Sequence, residues 1–99
     1  MQGMKILEKT ESREQCTESG WYAYDYKLEL DIRREHILNL KQLGGNFIYL
    51  SQLAIPFYKL EDKYMMIKGL EGSDTVRVAF YKEFENQICE KIEKFFNDL

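Results

Sequence analysis

The sequence predicts an α+β fold, a two-layer sandwich in which two helices pack on one face of a mostly antiparallel sheet of four to five strands. Two patterns predict it. Apolar and mainly charged residues alternate from Tyr22 to Leu30, which is the period of a strand, whereas the C-terminal segment repeats apolar residues at the period of a helix. The 99 residues, 44% hydrophobic and 31% charged, suit a single globular domain that spans residues 1–99.

The first twenty residues predict little regular structure. Residues 1–3 precede a second methionine, Met4, and are interpreted as the remnant of an expression tag or an alternative start, outside the fold. The stretch "MKILEK" brings Ile6 and Leu7 together and predicts a modest or edge strand. Residues 10–20 are almost wholly polar, so we expect a solvated loop there.

The next two segments predict a strand and then a helix. The strand from Tyr22 to Leu30 should pack one face and expose the other. Asp31 stands at the N-cap position of a helix over Ile32–Leu43, and a Gly-Gly pair follows as a stop signal. Helical spacing places His36 within the apolar side and Leu38 on the opposite side, where we expect Leu38 to be exposed or covered by a partner.

The stretch from Asn46 to Ile55 is apolar on both faces of a strand. Such a segment is expected in the middle of a sheet, with both of its sides covered. Pro56 has no backbone N–H, so regular pairing should break there, and Phe57 to Leu60 should form a bend or an edge segment.

The last forty residues predict a hairpin and a helix. Two strands flank "LEGSD", whose Gly and Asp are turn formers. A helix over Glu83–Asp98 follows, with both predicted helices on one face of the sheet. Its expected buried residues are Phe84, Ile88, Ile92, Phe95, Phe96 and Leu99.

Composition narrows the classes of function. A net charge of -3 and a pI near 5.2 lack the basic footprint of a typical nucleic-acid-binding domain. Cys16 and Cys89 lie far apart without metal-ligand or disulfide-framework spacing, which favours two reduced thiols and a cytoplasmic location. No apolar run reaches the length of a membrane span, so no membrane partner is expected.

The sequence contains no catalytic, metal-binding or phosphate-binding signature. We therefore predict no cofactor and no metal, and favour a non-catalytic domain. The spacing of Gly69 and Gly72 matches no phosphate-binding loop, and the loop leads into a strand, so both are interpreted as turn residues. His36 is the only histidine, and a lone imidazole makes a poor metal site.

The candidate binding residues are a row of tyrosines and two residues of the first helix. Tyr22, Tyr24 and Tyr26 share one face of their strand and are either core beneath the helices or an outward aromatic platform. His36 and Leu38 complete the set. The favoured hypothesis is a binding domain that uses an apolar, tyrosine-rich sheet face to join a protein partner or a second copy of itself.

Two alternatives stay open from the sequence. The first is a small-ligand or enzymatic pocket around Tyr24, Tyr26 and His36. The second is single-stranded nucleic-acid binding on an aromatic sheet face, which the negative net charge and the acidic Asp25 and Glu29 disfavour.

Overall fold

Six antiparallel strands form one sheet in the computed structural model, which describes residues 4–13 and 19–99. The strands are β1 (Ile6–Glu11), β2 (Trp21–Leu28), β3 (Asn46–Leu50), β4 (Phe57–Glu61), β5 (Met65–Leu70) and β6 (Thr75–Tyr81). Their order across the sheet is β1-β2-β6-β5-β4-β3. The predicted α+β class is confirmed, although the sheet has six strands instead of four to five.

The additional strand is β4, whose residues were predicted to form a bend or an edge segment. It pairs with both β3 and β5 along its whole length. Pro56 precedes the strand, and its carbonyl accepts a hydrogen bond from the Glu71 N–H at 2.9 Å. The missing N–H of Pro56 therefore does not interrupt the pairing of β4.

Residues 4–13 and 19–99 contain two α-helices besides the strands, α1 (Arg34–Asn39) and α2 (Glu85–Asp98). A 3-10 turn over Leu40–Leu43 extends α1, and another over Lys82–Phe84 precedes α2. The prediction that Asp31 caps the first helix is wrong, because the N-cap is Arg33. Ile32 is held in the loop instead: its N–H donates to the Ser73 carbonyl at 2.8 Å, and its carbonyl accepts from the Gly72 N–H at 2.8 Å.

The position of β3 also differs from the prediction. The segment Asn46–Ile55 was expected in the middle of the sheet, but β3 ends at Leu50 and is an edge strand. Strands β3 to β6 form a continuous meander, and β6 then pairs with β2. The first strand of the meander is consequently the one farthest from β2.

The core lies between one face of the sheet and the two helices. Fully buried residues of β2, β6 and β5, such as Tyr26, Phe80 and Ile67, join Ile37 of α1 and Ile92 of α2 in one cluster. Burying an aliphatic or aromatic side chain of this size stabilises the fold by about 1.5–3 kcal/mol. Both helices therefore share one face, as predicted, and we name the opposite side of the sheet the open face.

The remaining sequence predictions concern loops. Strands β5 and β6 form the predicted hairpin around Gly72 and Ser73. Strand β1 runs to Glu11, two residues into the predicted polar loop over 10–20, and residues 14–18 of that loop lie outside the described residues. In the described part of the chain, no helix is long and apolar enough to cross a membrane.

Candidate interaction surface

One end of the open face is apolar. Leu50 of β3 lies directly opposite Phe57 of β4, which lies opposite Leu70 of β5, so the three side chains form a row across the strands. Leu50 is 47% exposed and Leu70 43%. Such a concentration differs from the single exposed apolar residues that are normal on protein surfaces.

Three further exposed aliphatic residues lie on β3 or in the loop that follows it. Ile48, which shares the open face with Leu50, is 40% exposed. Leu53 and Ile55 belong to the loop that joins β3 to β4, and they are 51% and 62% exposed. We name the whole set the apolar corner: Ile48, Leu50, Leu53, Ile55, Phe57 and Leu70.

A charged row lies beside the apolar corner. Register places Ile48 opposite Lys59, then Lys68, then Arg77, then Asp25. The Arg77 guanidinium binds the Asp25 carboxylate with two hydrogen bonds, at 2.8 and 3.2 Å. Lys59 lies 3.4 Å from a Glu61 carboxylate oxygen. Acidic neighbours therefore neutralise much of the positive charge on this row.

The far end of the open face is aromatic and better packed. Trp21 of β2 contacts Tyr81 of β6 with ring centroids 4.3 Å apart, and Tyr64 lies edge-on to Tyr81 at 6.4 Å. Between these rings and the charged row, Ala23 and Ala79 are only 2% and 8% exposed. The aromatic rings at this end pack against one another, although Tyr64 is 44% exposed.

The tyrosine row singled out from the sequence lies on the opposite side, beneath α2. The Tyr26 hydroxyl donates to a Glu93 carboxylate oxygen at 2.8 Å, and the Tyr24 hydroxyl donates to Glu85 at 2.9 Å. The ring of Tyr22 is half-buried. Of the two arrangements open from the sequence, the structure has the core one, so the tyrosine-rich face is not the open face.

No family model, curated protein or solved structure matches the chain.

The groups around the tyrosine row tie β1 to α2. The Lys9 ammonium lies 3.1 Å from Glu93 and 4.6 Å above the centre of the Tyr24 ring. Burial lowers the pKa of Lys9, but the hydrogen bond to Glu93 and nearby negative charges outweigh it and raise that pKa above 10.5. Lys9 consequently stays positively charged and holds the edge strand β1 onto α2.

The row is poorly suited to acid-base chemistry near neutral pH. Burial first, and then the neighbouring Cys89 thiol and Glu93 carboxylate, raise the pKa of Tyr26 above its ordinary value of 10.0. The hydrogen bond to Glu85 raises the pKa of Tyr24 in the same direction. Both phenols therefore stay protonated and act as hydrogen-bond donors.

His36 occupies a different environment from Tyr24 and Tyr26. Its Nδ1 accepts a hydrogen bond from the Arg33 N–H at 2.9 Å, which satisfies a free donor at the start of α1. The ring lines a small cavity of about 10 Å³ together with Tyr58 and apolar residues. A cavity of this size holds about one water molecule and is therefore too small for a substrate.

Leu38 lies on the solvent side of α1. Its side chain is 37% exposed, whereas the adjacent Ile37 is fully buried. The structure thus does not bring the five sequence-predicted residues into one site. Tyr24 and Tyr26 bond to side chains of α2, Tyr22 packs against the same core, His36 caps α1, and Leu38 is at the surface.

The apolar corner was not predicted from the sequence, although most of its apolar residues stand out there as a run. The run from Asn46 to Ile55 was interpreted as covered on both sides, whereas its apolar side chains on the open face and in the loop are exposed. Ser51 and Gln52, which interrupt the run, were the available sign that the strand ends at Leu50. Among the described residues, no group of three or more His, Cys, Asp or Glu side chains could hold a metal ion.

Proposed function

We propose that this chain is a non-catalytic interaction domain that binds a second copy of itself through the apolar corner. The observation that supports the proposal is the concentration of exposed aliphatic side chains on the edge strand β3, in the loop that follows it and on the adjoining end of the open face. A reducing, cytoplasmic compartment, expected from the spacing of the cysteines, fits the buried free thiol of Cys89.

The energetics suit a weak, reversible dimer. The aliphatic side chains of the corner are 40–62% exposed. Covering those exposed parts on both copies contributes roughly 10 kcal/mol. Association costs on the order of 4–15 kcal/mol in lost translational and rotational freedom. We therefore expect a dimer that forms in the micromolar range or above and dissociates on dilution.

The test is sedimentation equilibrium over a dilution series. Leu50→Lys combined with Ile55→Lys should shift the wild-type dimer to monomer, because two charges enter the contact on each copy. The matched control is Leu7→Lys combined with Leu30→Lys, which replaces two equally exposed leucines, at 54% and 53%, outside the corner. The control should dimerise like the wild type.

Two results would contradict the proposal. One is a wild-type chain that stays monomeric up to millimolar concentration. The other is a control variant that loses dimerisation as completely as the corner variant, because the association would then depend on general hydrophobicity. Circular dichroism of each variant confirms that the fold is retained.

The two alternative functions have less support. A pocket shared by Tyr24, Tyr26 and His36 would need those side chains to line one cavity, but His36 lines a cavity with Tyr58 instead. Nucleic-acid binding on the open face would need cations free to meet phosphates, but Arg77 is held by Asp25. Neither alternative explains the apolar corner.

A further inference from the structure

The two edge strands of the sheet differ in how well they are protected against pairing with other chains. The outer strand β1 carries three charged residues at Glu8, Lys9 and Glu11, and its pairing register shifts between Ile6 and Glu8. Charges and irregular pairing are devices that keep edge strands from pairing with other chains. Strand β3, with the sequence NFIYL, has no charged residue, and its register with β4 is regular.

The ladder between β4 and β5 shows which way each residue of β4 directs its backbone groups. The Glu71 N–H donates to the Pro56 carbonyl, and the Asp62 N–H donates to the Met65 carbonyl at 3.0 Å. Hydrogen-bonded pairs alternate along an antiparallel ladder, so the even-numbered residues of β4 bond to β5. Its odd-numbered residues therefore bond to β3.

The same alternation fixes the free groups of β3. The odd-numbered residues of β4 lie opposite Asn46, Ile48 and Leu50. The backbone N–H and C=O groups of these three residues therefore bond to β4. Phe47 and Tyr49 consequently direct their N–H and C=O groups away from the sheet. None of the backbone hydrogen bonds found outside the strand ladders of the described residues involves Phe47 or Tyr49.

We infer that β3 pairs with β3 of a second copy in antiparallel fashion, around a twofold axis at Ile48. This inference rests on the proposed function and adds a second contact to its dimer: the β3 edges pair, which brings Ile48 and Leu50 of the apolar corner into the contact between the two copies. Phe47 of each copy then forms a hydrogen-bonded pair with Tyr49 of the other, so all four free backbone groups of each strand are used. The result is one continuous sheet with the helices of both copies on the same side.

The side chains of β3 complement themselves in this register. On the open face, Ile48 lies opposite Ile48, and Asn46 lies opposite Leu50. On the other face, Phe47 lies opposite Tyr49, an aromatic pair of the kind that stabilises cross-strand contacts. No charge is placed opposite a like charge, so a second copy of this strand fits without repulsion.

Disulfide trapping tests this register. Ile48→Cys, in a Cys16→Ser background, should give covalent dimers under mild oxidation, because directly opposite residues of a non-hydrogen-bonded pair approach closely enough for a disulfide. Asn46→Cys alone should give about tenfold less covalent dimer, since the two copies of position 46 are displaced from each other along the strands. Mixing Asn46→Cys with Leu50→Cys should restore trapping as a heterodimer.

Hydrogen exchange supplies an independent measurement on the wild-type chain. The amides of Phe47 and Tyr49 should exchange roughly tenfold more slowly at dimer-forming concentrations than at high dilution, because pairing buries them. The amide of Ile48, already bonded to β4, serves as the internal control.

The outcomes separate the two proposals. A dimer in sedimentation that shows neither trapping at position 48 nor slower exchange at Phe47 and Tyr49 overturns strand pairing and leaves association through the apolar corner. A monomer whose β3 edge exchanges rapidly at every concentration overturns both proposals and leaves the edge to a strand from a different protein.

Discussion

Replacing a tyrosine by phenylalanine should change the stability of the fold in opposite directions at two fully buried positions of the core. Tyr58 and Tyr26 are both 0% exposed. The Tyr26 hydroxyl donates to Glu93, whereas the Tyr58 hydroxyl has no hydrogen-bond partner in the described part of the chain. A buried polar group without a partner costs about 1–3 kcal/mol, and a phenylalanine at that position removes the cost.

The magnitudes follow from these surroundings. Tyr58→Phe should raise the free energy of unfolding by about 1 kcal/mol, which corresponds to a rise in Tm of roughly 4–8 °C for a domain of this length. Tyr26→Phe removes a hydrogen bond to a carboxylate. Because the Glu93 side chain is 38% exposed, solvent screening reduces the expected loss to about 1 kcal/mol.

Urea denaturation followed by circular dichroism, at a concentration that keeps the chain monomeric, measures both variants. A Tyr58→Phe variant that loses 1 kcal/mol or more would refute the reasoning, because the hydroxyl would then have a stabilising partner. The cavity beside Tyr58 offers only about 10 Å³ and one other polar side chain, His36, so a well-bonded water is not expected there.

The backbone and the pH response give two further predictions. Gly45→Ala should lower the free energy of unfolding by about 1–3 kcal/mol, because φ at Gly45 is +91° and the new Cβ would lie 2.7 Å from the Glu61 carbonyl oxygen. Gly72→Ala, with φ of +90° and open space around it, should cost less in the same urea titration. Stability should also fall as the pH rises above 10, because burial raises the pKa of Tyr58 and Tyr26 in the folded state while the unfolded phenols ionise near 10. Absorbance at 295 nm should show these two phenols ionising only as the chain unfolds.

Local periodicity predicted the elements whose pattern is complete within a single segment. The C-terminal helix was confirmed because its apolar residues repeat over four turns, and the hairpin because "LEGSD" stands between two short strands. The predicted position of β3 in the sheet was wrong, since the order of strands depends on pairings between segments that are distant in the sequence. An apolar run has the same appearance in a central strand and in an exposed edge strand.

The candidate surface was less predictable than the fold. Alternation placed Tyr22, Tyr24 and Tyr26 on one face of β2, but it does not specify which face α2 covers. The contact between Lys9 and Glu93 joins residues 84 positions apart, and no local pattern predicts such a pair. The apolar corner likewise depends on the register of three strands, which places Leu50, Phe57 and Leu70 in one row.

The pairing of β2 with β6 has a consequence for how the chain reaches its folded state. The ion pair between Asp25 and Arg77 in this ladder joins residues 52 positions apart. During synthesis, β2 therefore has no second neighbour until β6 has left the ribosome, whereas β3 to β5 can associate as soon as they emerge. Joining the N-terminal strands to this meander closes a long loop and should limit the folding rate.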